Sequence, residues 1–416
     1  MRHFVNYVLA KYATSGINFL IPLFLPVFLK KEDMGLIATF YSIYTLLFFF
    51  ISLNANAYLL RAYVDEKENL SSLFQLSSLI MLSMCTVILI VFILLESFLR
   101  QISHFALIDL ILVPLAVLFW QFITLFLTYF QAQQKSMQYS LLLLGRTSLA
   151  TALMFIMIII LDLGWDSRIY SFLYTDVLLS MALLFVFRRY FSSFIIDKEF
   201  IGKTIATLKY GVPLIPHNLA MWVLFAADIF FINYYIGSEG SAIYYIANMM
   251  GLIIGLFQDA ITTAWNPHVF AKIKNNDINQ SYLIRYGALY FFILMILGAV
   301  VAFSAPVFLS YMYDGSYDEA VVLIPFMISA YVFNGIYKFF AAIIFYSKRT
   351  MLLWYASVTA AMLNIILNFM VIEEYGVLGV AISTCISFFV SMVITIWLGL
   401  REFKLISNIV SEKYNE

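Results

Sequence analysis

A window of about twenty apolar residues, closed by a short polar break, recurs about twelve times along this chain. The windows run near 7–29, 36–60, 71–96, 105–130, 139–161 and 168–188, then near 210–235, 242–265, 286–311, 320–346, 352–372 and 377–399. A hydrocarbon core of about 30 Å is crossed by about 20 residues of helix. Inside it, backbone N–H and C=O groups find partners only within the helix itself. The repetition therefore predicts an all-α polytopic membrane protein of about twelve transmembrane helices. Composition closes the soluble alternative, because 12% of the residues are charged and 63% are hydrophobic, whereas a water-facing fold is about a quarter charged. Lys+Arg and Asp+Glu both number 24, so no net charge points to a nucleic-acid partner.

Positive charge orients the windows. With a cytoplasmic N-terminus, nineteen of the 24 Lys and Arg residues fall on the cytoplasmic side. Lys30, Lys31, Arg100 and Arg168 fall on the other, and Lys338 lies inside a span. Because cytoplasmic loops retain Lys and Arg, both termini are expected in the cytoplasm. The run from Thr14 to Leu29 has spanning length and no clear small-residue cleavage site, so it reads as a retained first helix. Cys85 and Cys385 lie in apolar runs and read as buried small hydrophobes.

The longest interruption, 188–209, is amphipathic, with Phe200, Ile201, Ile205 and Leu208 set among Lys198, Lys203 and Lys209. It is expected to be a cytoplasmic interfacial linker between a six-helix lobe at 1–187 and a second at 210–400. An amphipathic cytoplasmic tail follows at 401–416. Six helices in each lobe make a parallel repeat. A shift of 207 residues lays Glu32 on Glu239 and Asn56-Ala57-Tyr58 on Thr263-Ala264-Trp265. The similarity is weak by identity, and chance likeness between apolar helices competes with it.

Polar residues inside such spans carry the functional signal, since a charge at the bilayer centre costs about 2.5–3.5 kcal/mol on insertion scales. In the eighth span Asn248, Gly251, Gly255, Asp259, Thr262 and Asn266 recur at three- and four-residue steps, one helical face. The second span carries Ser42, Thr45, Ser52 and Asn56, with Ser52 falling on Asp259 under the shift. Close helix packing explains small residues of this kind, but a carboxylate packs poorly, so Asp259 is a candidate for a wet path between two lobes. In the seventh span His217 and Asp228 are eleven residues apart and share a face on an ideal helix. Pro213 and Pro216 there, like Pro22 and Pro26 in the first span, break the leading helix of each lobe. Asp176 and Lys338 complete the intramembrane candidates. Lys338 either snorkels to the interface or lines a cavity that attracts phosphate. Lys11, Arg61 and Arg146 lie towards the cytoplasmic mouth, as anchors or as a vestibule for an anionic headgroup. Ser357, Asn364, Asn368, Thr384, Ser387, Ser391 and Thr395 read mainly as helix packing.

No Walker A loop, paired Cys or His metal spacing, or acidic D-x-D occurs. Neither a cofactor, a metal nor covalent catalysis is therefore expected. The driving force would come from an H+ or Na+ gradient or from the gradient of the substrate.

The segment Lys209-Tyr-Gly-Val-Pro-Leu-Ile-Pro-His-Asn-Leu-Ala-Met-Trp-Val-Leu-Phe-Ala-Ala-Asp228 resembles the seventh helix of bacterial polysaccharide-unit flippases. These are the O-antigen and capsule exporters of the multidrug/oligosaccharidyl-lipid/polysaccharide superfamily. Gly240-Ser-Ala-Ile-Tyr-Tyr-Ile-Ala and Ala264-Trp-Asn-Pro267 are similar to that family's eighth helix, and Lys30-Lys-Glu-Asp-Met-Gly35-Leu with Tyr58-Leu-Leu-Arg61 to its first two. One departure is Ile229, where the family often carries a basic residue after the aspartate. The resemblance implies two six-helix lobes around a central cavity in the bacterial inner membrane. It also implies passage of an undecaprenyl-diphosphate-linked oligosaccharide to the outer leaflet, where a polysaccharide polymerase is the expected partner besides membrane lipids. A cation-coupled multidrug exporter of the same superfamily is the competing reading. A membrane glycan polymerase or acyltransferase is a third, opposed by the absence of a long external loop.

Overall fold

The computed structural model describes residues 2–65, 70–188, 198–349 and 351–415, and among these no strand is formed. The first seven helices are α1 (Arg2–Phe24), α2 (Lys31–Ser52), α3 (Ala55–Asp65), α4 (Leu70–Leu94), α5 (Glu96–Ser103), α6 (Leu107–Ala132) and α7 (Ser136–Ile159). There follow α8 (Asp166–Val186), α9 (Lys198–Gly211), α10 (Ile215–Trp222), α11 (Asp228–Tyr235), α12 (Ser238–Lys274), α13 (Gln280–Tyr313), α14 (Ala320–Tyr346) and α15 (Met351–Asn415). Eleven stretches among the described residues are long and apolar enough to cross a bilayer. The last of them, Met351–Ile406, has 56 residues, about 84 Å of helix at 1.5 Å per residue, far more than one crossing needs. It is interrupted at Gly376, whose φ of 57° and ψ of −141° leave the helix, a conformation that glycine adopts without a Cβ penalty. Divided there, α15 supplies two crossings and the total becomes twelve. This is an integral membrane protein, and side chains such as Phe303 and Tyr311, 84% and 88% exposed, form the kind of apolar surface that lipid covers.

The chain divides into two compact units, Met1–Asn218 and Leu219–Glu416. The first is centred on an aromatic cluster of Phe74, Phe126, Tyr129 and Phe130 from α4 and α6, joined by Tyr58 of α3. Phe74 and Phe126 meet edge to face at 5.2 Å, a favoured arrangement of ring quadrupoles. Asp33 and Asp109 serve helix ends, accepting from the backbone N–H of Lys30 and Ala106.

The second span is broken. Leu53 and Asn54 take left-handed φ values of 44° and 60°, ending α2 and redirecting the chain into α3. The break is fixed by residues far along the chain. The Asn54 amide donates to the Gly211 carbonyl at 3.1 Å and accepts from Asn218 at 3.3 Å. A Cβ on Gly211 would lie 1.9 Å from the Leu53 carbonyl oxygen, so only glycine permits this approach. Residues 211–218 are thereby tied to the first unit, which is why the boundary falls inside the seventh span. The amphipathic stretch after 198 forms α9, whose buried Phe200 packs on Leu76 and Ile80 of α4, leaving Ile201 and Ile205 exposed.

In the second unit the Tyr331 ring of α14 rests on Gly251 and Gly255 of α12. Added Cβ atoms there would lie 2.5 and 2.9 Å from the ring. The small residues of the eighth-span stripe are therefore a packing groove.

Candidate functional site

The seventh span is irregular on both sides of α10. Val212–Leu214 winds as a 3-10 turn and Val223–Ala227 as a π-helical segment that ends against Asp228. Wide turns of this kind cluster at functional sites. They also depart from the ideal-helix register on which the shared face of His217 and Asp228 was expected, and the two residues belong to different compact units. His217 is half-buried.

Asp228 is fully buried. Its carboxylate accepts from Asn368 Nδ2 at 2.6 Å, from Thr384 Oγ1 at 2.5 Å and from the Tyr244 hydroxyl. Asn364 extends the network through Thr384 at 3.4 Å. The donors come from α12 and from both halves of α15, so the carboxylate ties three helical segments to α11. All are neutral, and no cation pairs with Asp228 among the described residues; Ile229 supplies none. The Asn368 Oδ1 is buried without a donor. Asn364, Asn368 and Thr384, which read as packing residues in sequence, are thus the immediate surroundings of Asp228. Their four-residue spacing in an apolar helix, Asn364 to Asn368, was the signal available.

Asp259 and Lys338 come together. Lys338 Nζ lies 2.8 Å from Asp259 Oδ1, the two side chains being 26% and 59% exposed. Lys338 is thus placed by an ion pair between α12 and α14. Beside it the Trp265 indole stacks on Phe339 at 4.1 Å and donates to that residue's carbonyl. The polar stripe of α12 accordingly has two parts. Gly251 and Gly255 are covered, with Asn248 beside the Tyr331 hydroxyl, while Asp259 is exposed and Thr262 and Asn266 are half-buried. Gln258, which periodicity did not mark, is fully buried and donates to the Tyr331 carbonyl.

The remaining candidates separate. Arg146 does not line a vestibule. It is 5% exposed, and its Nε and an Nη each donate to Asp176 at 2.7 Å. Its guanidinium lies 4.3 Å from both the Trp120 and Phe172 rings. Asp176, fully buried and clamped by this pair, is correspondingly absent from any open path; each of the two explains the other's burial. Asn56 donates to Gln121 at 2.8 Å, and Gln121 donates to the Phe48 carbonyl, so Asn56 braces the α2–α3 break. Ser52, counterpart of Asp259 under the 207-residue shift, is buried where Asp259 is exposed, and α12 runs unbroken where α2 stops. Lys11 is exposed. The side chain of Arg61 lies outside the described residues.

The fold is shared with solved structures of transporters. The inward-facing structure of a multidrug resistance MATE family transporter of the MOP superfamily matches with a TM-score of 0.70 at 15% identity, over 95% of this chain and 96% of that one. Lipid II flippase MurJ in its inward closed conformation matches at 0.73 and 15% identity, over 97% and 90%. A MOP superfamily transporter from Pyrococcus furiosus, described as having a binding pocket of reversed polarity, matches at 0.63 and 12%, over 97% and 96%. At these identities the likeness establishes the fold. Sequence narrows it further: residues 1–274 match the model of the polysaccharide biosynthesis protein family, and the chain belongs to that family. No curated protein is significantly similar to it in sequence.

Proposed function

We propose that this chain is a flippase that moves an undecaprenyl-diphosphate-linked oligosaccharide from the cytoplasmic to the outer leaflet of the bacterial inner membrane. It would do so by alternating access, with both termini cytoplasmic, delivering the unit to a polysaccharide polymerase for O-antigen or capsule assembly. Family membership gives the polysaccharide context, and the Lys338–Asp259 pair is the observation that carries the reading. A sugar diphosphate needs positive charge to enter an apolar path, and Lys338 is a cation set among apolar helices. Its partner is exchangeable, because a part-exposed ion pair contributes only about 0–1 kcal/mol. A phosphate that displaces Asp259 from Lys338 therefore gives up little. Asp228 is the proposed coupling site for H+ or Na+: a buried carboxylate with only neutral donors, beside the unpartnered Asn368 oxygen, gains from a bound cation.

The test is the outer-leaflet content of lipid-linked oligosaccharide at matched protein levels. Lys338→Ala is expected to abolish translocation and Lys338→Arg to retain part of it. Wild-type translocation by the Ala variant would remove Lys338 from the cargo path. The greater exposure of Asp259 favours a second reading, export of organic cations. On that reading Asp259→Asn abolishes drug efflux while Lys338→Ala preserves it.

A further inference from the structure

Close to the Arg146–Asp176 pair, the first unit buries a second guanidinium that nothing above accounts for. Arg168 of α8 is 1% exposed. One Nη donates to the Tyr41 hydroxyl and the other reaches the Met154 sulfur at 3.3 Å. Its Nε has no acceptor, and no carboxylate among the described residues pairs with it. The guanidinium lies 4.0 Å from the Phe172 ring, the same ring that Arg146 approaches at 4.3 Å. Tyr44 packs on that ring at 5.4 Å, and its buried hydroxyl faces the Arg146 guanidinium, itself only a donor, so the Tyr44 proton finds no acceptor. Two guanidiniums, one carboxylate and two idle donors thus surround Phe172, a local charge of one positive unit.

A buried charge without a counter-ion costs several kcal/mol even after relaxation, and cation–π contact with Phe172 and Tyr41 returns only about 2 kcal/mol. Aromatic contact therefore leaves most of the burial cost unmet. Asp176 already takes two charge-assisted bonds from Arg146 and cannot serve both arginines equally.

We propose that this side-chain cluster of the first unit binds a small inorganic monoanion of the halide class, held by Arg168 with Tyr44 as a second donor. A single negative charge matches the residual positive one, whereas a dianion such as phosphate would reverse it. Burial of Arg168, Phe172 and Tyr44 excludes a lipid headgroup, and a spherical ion accepts N–H and O–H donors without a fixed angular demand. The site is separate from Asp228 and from Lys338, both of which lie in the second unit.

The experiment uses the purified full-length protein in detergent, in sodium gluconate of constant sodium and ionic strength, with gluconate replaced stepwise by bromide. The unfolding temperature of the wild type is expected to rise saturably with bromide or chloride. Arg168→Met is expected to flatten the response. Tyr44→Phe removes a hydroxyl whose proton has no protein acceptor and should fold even if Arg168→Met does not; it is expected to raise the halide midpoint about tenfold, the usual worth of one hydrogen bond to an ion. In crystals grown with bromide, an anomalous peak is expected within hydrogen-bond reach of Arg168 Nε. A wild type with no saturable halide response overturns the proposal. So does a response unchanged in Tyr44→Phe with the bromide peak elsewhere, and so does stabilisation by inorganic phosphate alone.

Discussion

Replacing Asp176 with asparagine keeps the shape of the side chain and removes the carboxylate that pairs with Arg146. Two penalties follow from the geometry. The first is loss of a double charge-assisted bond with both distances at 2.7 Å, leaving a guanidinium buried and unpaired; breaking a buried pair in this way costs about 3–5 kcal/mol. The second is repulsion. Arg146 and Arg168 each lie about 4 Å from the Phe172 ring, so they are at most about 8 Å apart, which at an effective dielectric near 20 is worth about 2 kcal/mol. With Asp176 gone this term is no longer offset. Arg146→Met should cost less, since the carboxylate it leaves behind still feels Arg168. The double variant Arg146→Met/Asp176→Leu should be the mildest of the three, because it removes both charges and fills the space. Thermal or denaturant unfolding of the purified protein measures the order, with Asp176→Asn lowest, Arg146→Met next and the double variant nearest the wild type. An Asp176→Asn protein of wild-type stability would refute the reasoning and restore Arg146 as an exposed vestibule residue.

Three other substitutions probe separate parts of the structure. Gly251→Ala places a methyl 2.5 Å from the Tyr331 ring and 3.1 Å from the Met327 carbonyl oxygen; overpacking of this kind costs about 1–3 kcal/mol, and an unfolding midpoint equal to the wild type would deny the groove. Gly211→Ala drives a methyl into the Leu53 backbone, so the α2–α3 break must move off residues 211–218; faster proteolysis near that break than in the wild type is expected, and an unchanged digestion pattern would contradict the docking. Asp228→Asn is expected to cost about 1–3 kcal/mol through mismatched donors and to abolish the dependence of transport on a proton or sodium gradient, whereas gradient-dependent transport at the wild-type rate would exclude Asp228 as the coupling carboxylate.

The helical frame was legible because it rests on a one-dimensional property, the length of each apolar run against the thickness of hydrocarbon. Asp228, Asp259 and Lys338 stood out in the sequence for a related reason: each is a charge inside such a run. Pairings were not legible, since they depend on which helices neighbour one another. Asp259 and Lys338 are 79 residues apart and Arg146 and Asp176 are 30 apart, and nothing in their local spacing marks either as a pair. Arg168 read as an outer-side charge at the start of its span, yet its side chain folds inward onto Phe172. The α2–α3 break escaped notice because Leu53 and Asn54 are not residues whose presence alone ends a helix. Its cause is tertiary, the approach of Gly211 and Asn218. The stripe on α12 showed the converse: periodicity found the face, and only the position of Tyr331 divides it into a packed and an open half.

Passage of a lipid-linked sugar diphosphate by way of Lys338 can be measured on the purified protein. The most direct measurement reconstitutes the purified chain into liposomes with a fluorescent polyprenyl-diphosphate oligosaccharide and follows its protection from a membrane-impermeant reagent. Wild-type protein is expected to equilibrate the lipid between leaflets well above the protein-free rate, and Lys338→Ala, present at equal density, to return the rate to that of empty liposomes. Equal rates for the wild type and empty liposomes, alongside export of an organic cation by the same preparation, would contradict it.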